Sequence, residues 1–212
     1  MLGYYNYTVV LTYIGLFSAI FGMMQALQCN PKTAVLCLMI CGLCDMFDGV
    51  VARTHKTRTE DEKSFGIQID SLCDLVCFGV FPVVIGFSIG IKSVIGVLCM
   101  AFYALAAVIR LGYFNVQEIN RTRETTEKRQ YYTGLPVTSI AILLPTFLLF
   151  DIPTKFCVIR LYSLCLLLVG VAFISKIKIK KPYFYGMVLC AVFGAAVFFL
   201  FYRYGGRIVW AY

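Results

Sequence analysis

Apolar runs of about twenty residues recur along the whole of this 212-residue chain, and no other feature limits its fold so strongly. Twenty residues at 1.5 Å each span roughly the 30 Å hydrocarbon thickness of a bilayer. Seven such runs can be drawn, with six to eight as the range: Thr8 to Leu27, Ala34 to Arg53, Gln68 to Gly90, Ser93 to Asn115, Leu135 to Phe150, Phe156 to Ser175 and Tyr183 to Tyr202. The fifth is short and carries Pro136 and Pro145, so a kink is expected there. The opening MLGYYNYT has no basic stretch and no small-residue cleavage site behind its apolar run, so the first run is expected to be retained as a span. With 60% hydrophobic and 14% charged residues, the composition leaves no soluble domain between the runs. The expected fold is all-α, a polytopic transmembrane helical bundle.

A net charge of +8 could point to nucleic acid, but the basic residues follow membrane topology instead. With the N-terminus in the cytoplasm, thirteen of the nineteen Lys and Arg residues fall at inside positions: Arg53 to Lys63, Arg110 to Arg129, and Lys176 to Lys181. The positive-inside rule favours that orientation, and no nucleic-acid partner is expected. Ten cysteines, including the CxxC of Cys41 and Cys44, lie almost entirely within apolar runs, where cysteine acts as a small hydrophobe.

Acidic residues carry the functional signal. Of eleven, Glu60, Asp61, Glu62, Glu118, Glu124 and Glu127 fall in polar segments read as loops, and Asp151 ends a run. The other four, Asp45, Asp48, Asp70 and Asp74, sit within or at the ends of apolar helices, where a carboxylate costs about 2.5–3.5 kcal/mol and marks a functional site. At about 100° per residue, Asp48, Gly49 and Ala52 fall within an arc of about 100° that also contains Asp45. Small residues beside two acids leave room for a ligand. Gly66, Asp70 and Asp74 advance in steps of four and form one stripe on the next helix. A short connection makes the two helices antiparallel neighbours, so the acid pairs can face each other. Four converging carboxylates need cations, and an all-oxygen donor set suits Mg²⁺ or Mn²⁺, with Ca²⁺ fitting the same donors.

The segment CDMFDGVVARTHKTRTEDEKSFGIQIDSLCD reads DxxDGxxAR, a spacer, then GxxxDxxxD, with Asp45, Asp48, Gly49, Ala52, Arg53, Gly66, Asp70 and Asp74 at the fixed positions. This resembles the signature of the CDP-alcohol phosphotransferases, with twelve residues between Arg53 and Gly66, a longer spacer than many members have. The segments RLGYFNV from Arg110, YYTGLPVTSIA from Tyr131 and the opening YNYTVVLTYIGLFSAIFG are similar to the phosphatidylserine synthase branch. The resemblance implies a transmembrane domain over residues 1–181, with 182–212 an additional C-terminal helix and tail.

It also implies a reaction. A phosphatidyl group would pass from CDP-diacylglycerol to the hydroxyl of L-serine with release of CMP, in a homodimer whose site faces the cytoplasm. Asp45, Asp48, Asp70 and Asp74 would hold two divalent cations, and Asp74 would also serve as general base. Gly49, Ala52, Arg53 and Gly66 would meet the CDP-lipid, with Asn6 and Thr8 as further nucleotide contacts. Arg110, Asn115, Thr133 and Gly134 would meet acceptor or phosphate. Two readings stand beside this one. A phosphatidylglycerophosphate or phosphatidylinositol phosphate synthase shares the signature but takes a phosphorylated acceptor, and a cation channel or transporter would also need intramembrane carboxylates.

Overall fold

A computed structural model describes residues 9–52, 59–124, 131–150, 158–180 and 184–208. Among them run eight α-helices: α1 (Val10–Leu27), α2 (Pro31–Ala52), α3 (Glu60–Asp74), α4 (Phe81–Ser88), α5 (Val94–Glu124), α6 (Ile140–Leu149), α7 (Val158–Ile174) and α8 (Phe184–Tyr204). A π-helical turn, Leu75–Val80, joins α3 to α4 without a break. The stretches Val10–Leu27, Asp61–Ser88 and Val94–Asn120 each have the length and mean hydropathy of a bilayer span, at 1.7, 1.9 and 2.3. With the shorter apolar helices they form a helical membrane bundle. Large side chains such as Phe17 and Val94, 73% and 77% exposed, point out of the bundle.

Three differences from the expected elements have simple causes. The third helix starts at Glu60 rather than Gln68, so Glu60, Asp61 and Glu62 form its first turn and are not loop residues. Thr59 caps it: its hydroxyl accepts from the Glu62 N–H (3.2 Å), and the Glu62 carboxylate accepts from the Thr59 N–H (2.9 Å). Acids in a first turn also suit the positive end of the helix dipole. The fourth apolar run forms α5, which continues nine residues past Asn115 and carries Glu118 and Glu124. At 31 residues it is about 46 Å long, so it projects beyond the hydrocarbon. The third departure is a pair of three-residue strands, β1 (Tyr131–Thr133) and β2 (Lys178–Lys180), antiparallel with Tyr132 opposite Ile179.

Small residues allow α1 to lie close against α2. Gly15, Ala19, Gly22 and Ala26 form a buried stripe on α1, the pattern that lets membrane helices approach closely. Cys41 Sγ donates to the Gly15 carbonyl across the contact (3.2 Å). Behind this pair, Phe78, Phe81, Ile85, Tyr103, Leu144, Tyr162 and Phe173 pack into one core that joins α4, α5, α6 and α7. Proline at 145 is accommodated inside α6, where Thr146 Oγ1 donates to the Ile142 carbonyl (2.7 Å).

Glycine at position 22 is the tightest point of the contact, since a Cβ there would lie 2.7 Å from Cys37 Cβ and collide with the Phe81 ring. Gly22→Val is expected to destabilise by about 1–3 kcal/mol, read as a lower melting temperature of the micellar protein. At Gly112, where a Cβ would meet nothing within 4 Å, alanine is expected to leave the melting temperature unchanged or raise it.

Candidate active site

The C-terminal halves of α2 and α3 bring their acids together. One carboxylate oxygen from each of Asp45, Asp70 and Asp74 lies within 4.8 Å of the others. Three oxygens spread evenly around a magnesium ion at about 2.1 Å stand about 3.6 Å apart, so shifts of less than about 1 Å per carboxylate would close this trio on an ion. The Asp45 carboxyl also stands within hydrogen-bond reach of Asp74 and of Thr138, in the 3₁₀ turn Val137–Ser139 ahead of α6. Gly42 makes that approach feasible, because its missing Cβ would otherwise press on Ala141 and lie 4.0 Å from the Thr138 carbonyl.

Asp48 sits at the edge of the trio. It is buried, at 9% exposure, accepts a long hydrogen bond from Thr12 of α1 (3.4 Å), and stands within reach of Asp70. A small cleft opens here, lined by Thr12, Gly15, Cys41, Cys44, Asp45, Asp48, Cys73, Asp74, Cys77 and Phe78. That lining holds three carboxylates and no positive charge. Carboxylates packed this closely in a region of low dielectric repel strongly unless a cation lies between them. The donors are oxygens, which fits a hard divalent ion better than zinc.

The other expected site residues divide into groups. Gly49 faces open space, since a Cβ there would meet nothing within 4 Å. Packing among the described residues therefore does not require a glycine at this position. Gly66 is half-buried on α3, and Ala52 ends α2. Asn6, Thr8 and Arg53 lie outside the described residues.

Arg110, only 6% exposed, donates from Nε to the Leu135 carbonyl (3.1 Å) and lies over the Phe114 ring. Asn115 Oδ1 accepts from Ser71 (2.6 Å), a bond that ties α5 to α3 one residue past Asp70. Thr133 ends β1. Gly134 has a left-handed φ of +81°, and a Cβ on it would lie 2.7 Å from the Phe173 carbonyl, so both conformation and space favour glycine. The amides of this turn are used within the fold: Gly134 N–H donates to the Ile177 carbonyl (2.8 Å) and Leu135 N–H to the Ala172 carbonyl (3.2 Å).

Thr12 and Thr138 join the acids without having stood out in the sequence. Thr12 offered one faint signal as a polar residue on the apolar run of α1. Thr138 offered none, because its link to Asp45 crosses ninety-three residues of chain.

Comparison with known proteins agrees with this arrangement. The sequence profile of the family described as CDP-alcohol phosphatidyltransferase matches residues 5–175. The CDP-diacylglycerol–serine O-phosphatidyltransferase of Bacillus subtilis is 29% identical over 185 residues, which cover 84% of this chain and 92% of that protein. The Helicobacter pylori enzyme of the same name is 30% identical over 170 residues, 76% of this chain and 68% of the relative. The Saccharomyces cerevisiae one is 37% identical over 109 residues, 50% of this chain, and the match spans well under half of the yeast protein, 38%. With its acidic signature folded onto two adjoining helices and a profile match over most of its length, the chain belongs to the CDP-alcohol phosphatidyltransferase family.

Proposed function

We propose that this chain is a phosphatidylserine synthase, which moves the phosphatidyl group of CDP-diacylglycerol onto the hydroxyl of L-serine and releases CMP. The observation that carries the reading is the convergence of Asp45, Asp70 and Asp74 from two helices to within 4.8 Å of one another, beside a cleft lined by Asp45, Asp48 and Asp74. The names of the relatives from three organisms support serine as acceptor.

In this reading Asp45, Asp48 and Asp70 are the principal ligands of divalent cations, Mg²⁺ or Mn²⁺, two per site, and Asp74 also touches a metal. When bound, such ions screen the pyrophosphate and stabilise the phosphate that departs. Asp74 accepts the proton of the serine hydroxyl as its oxygen bonds to phosphorus, and the bond from phosphorus to the CMP oxygen breaks. Gly49, Ala52 and Gly66 leave space for the nucleotide, and Arg53 pairs with phosphate. Arg110 and Asn115 act through the walls of the site, one holding the residue 135 backbone and the other holding α3. The distribution of lysine and arginine supports a site that opens to the cytoplasm, where serine and CMP are soluble. The homodimer and the division at residue 181 rest on the resemblance of the sequence.

Purified protein supplied with CDP-diacylglycerol, Mn²⁺ and L-serine is expected to release CMP and form phosphatidylserine. Release only with glycerol 3-phosphate or inositol phosphate would overturn serine as acceptor, and no release with any acceptor from folded protein would overturn the transferase. EDTA is expected to abolish CMP release, and added Mg²⁺ or Mn²⁺ to restore it. Asp74→Asn is expected to lower turnover by about 10²–10⁴-fold while CDP-diacylglycerol binding is retained. Turnover and binding lost together would make Asp74 chiefly a metal ligand.

A further inference from the structure

The helix that carries Asp70 and Asp74 changes its winding at the residue after Asp74. There it enters the π turn Leu75–Val80, beyond which the Phe81 N–H reaches back five residues to the Val76 carbonyl. Pro82 explains the change, because it has no N–H and an α-helix would need one there for the Phe78 carbonyl. Phe78 is 1% exposed at membrane depth, where an unmatched carbonyl costs several kcal/mol. The hydroxyl of Tyr103, on α5 and fully buried, donates to that carbonyl.

Tyr103 is itself firmly seated. Its ring centroid lies 5.6 Å from that of Phe173, and a Cβ on Gly170 of α7 would stand 3.3 Å from the Tyr103 Cα. Phe78 is one more step of four along the stripe of Gly66, Asp70 and Asp74, and it lines the cleft with Cys77. Removing the extra residue of a π turn would rotate everything on one side by about 100° relative to the other. Since Phe81 and Ile85 are anchored in the core, that rotation would fall on Asp74.

We propose that Tyr103 is a positioning residue for the carboxylate cluster: by holding the Phe78 carbonyl it keeps the π turn open and aims Asp74 at Asp45 and Asp70. This rests on the reading of the cluster as a divalent-cation site, and it goes beyond the signature residues to a side chain on another helix.

Mn²⁺ affinity of the purified protein in lipid nanodiscs, measured from the spin resonance of free Mn²⁺, tests it without turnover. Tyr103→Phe keeps the ring and removes only the hydroxyl, and is expected to weaken Mn²⁺ binding about tenfold, the scale of other groups that orient metal ligands. The control is Tyr162→Phe, which removes an equally buried hydroxyl from the Pro82 carbonyl (2.6 Å), outside the cleft. It is expected to lower the melting temperature as much as Tyr103→Phe does and leave Mn²⁺ affinity within twofold. Pro82→Ala, which returns an N–H to the helical ladder, is expected to weaken Mn²⁺ binding with Tyr103 intact.

Wild-type affinity in Tyr103→Phe would overturn the proposal whatever Pro82→Ala does, as would an equal loss in Tyr162→Phe. A wild-type protein that binds Mn²⁺ but releases no CMP would count against the synthase reading, and the Mn²⁺ comparison would still decide the role of Tyr103.

Discussion

Carboxylates crowded together at membrane depth repel one another and lose their hydration, and the rest of this structure is arranged around that penalty. Asp45, Asp70 and Asp74 approach within 4.8 Å, with Asp48 beside them. The described residues around them supply threonines, thiols and an aromatic ring but no compensating positive side chain. A divalent cation would supply the missing charge, and an ion that relieves the repulsion can also bind a pyrophosphate.

Holding like charges together requires a rigid frame. The glycine and alanine stripe of α1 seats that helix on α2 and brings Thr12 to Asp48. Gly42 admits the turn that delivers Thr138 to Asp45. On the opposite side, α5 grips α3 through Asn115 and Ser71, and grips the π turn through Tyr103 and the Phe78 carbonyl. The acids thus occupy two helices, while the groups that orient them come from three others.

Much of this was legible in the sequence, because the acid spacings are local. Steps of three and four along one helix fix a shared face whatever the tertiary structure, so the grouping of Asp45 with Asp48, and of Asp70 with Asp74, follows from helical geometry. The ends of the helices were less legible. Hydropathy loses sight of a helix when it leaves the bilayer, so the polar first turns of α3 and the last turns of α5 read as loops, although Thr59 and Glu62 carry a capping signal. The π turn was hidden because a five-residue hydrogen-bond step leaves no periodic mark in six apolar residues. Contacts far apart in sequence, such as Thr138 with Asp45 and β1 with β2, have no local pattern to betray them.

The location of the cation is the most direct test of this account. Anomalous scattering from crystals grown with Mn²⁺ is predicted to show a peak within about 2.2 Å of carboxylate oxygens from both α2 and α3, including Asp45 and Asp70. Strong Mn²⁺ peaks confined to the Glu60 to Glu62 turn, or bound by one helix alone, would contradict it.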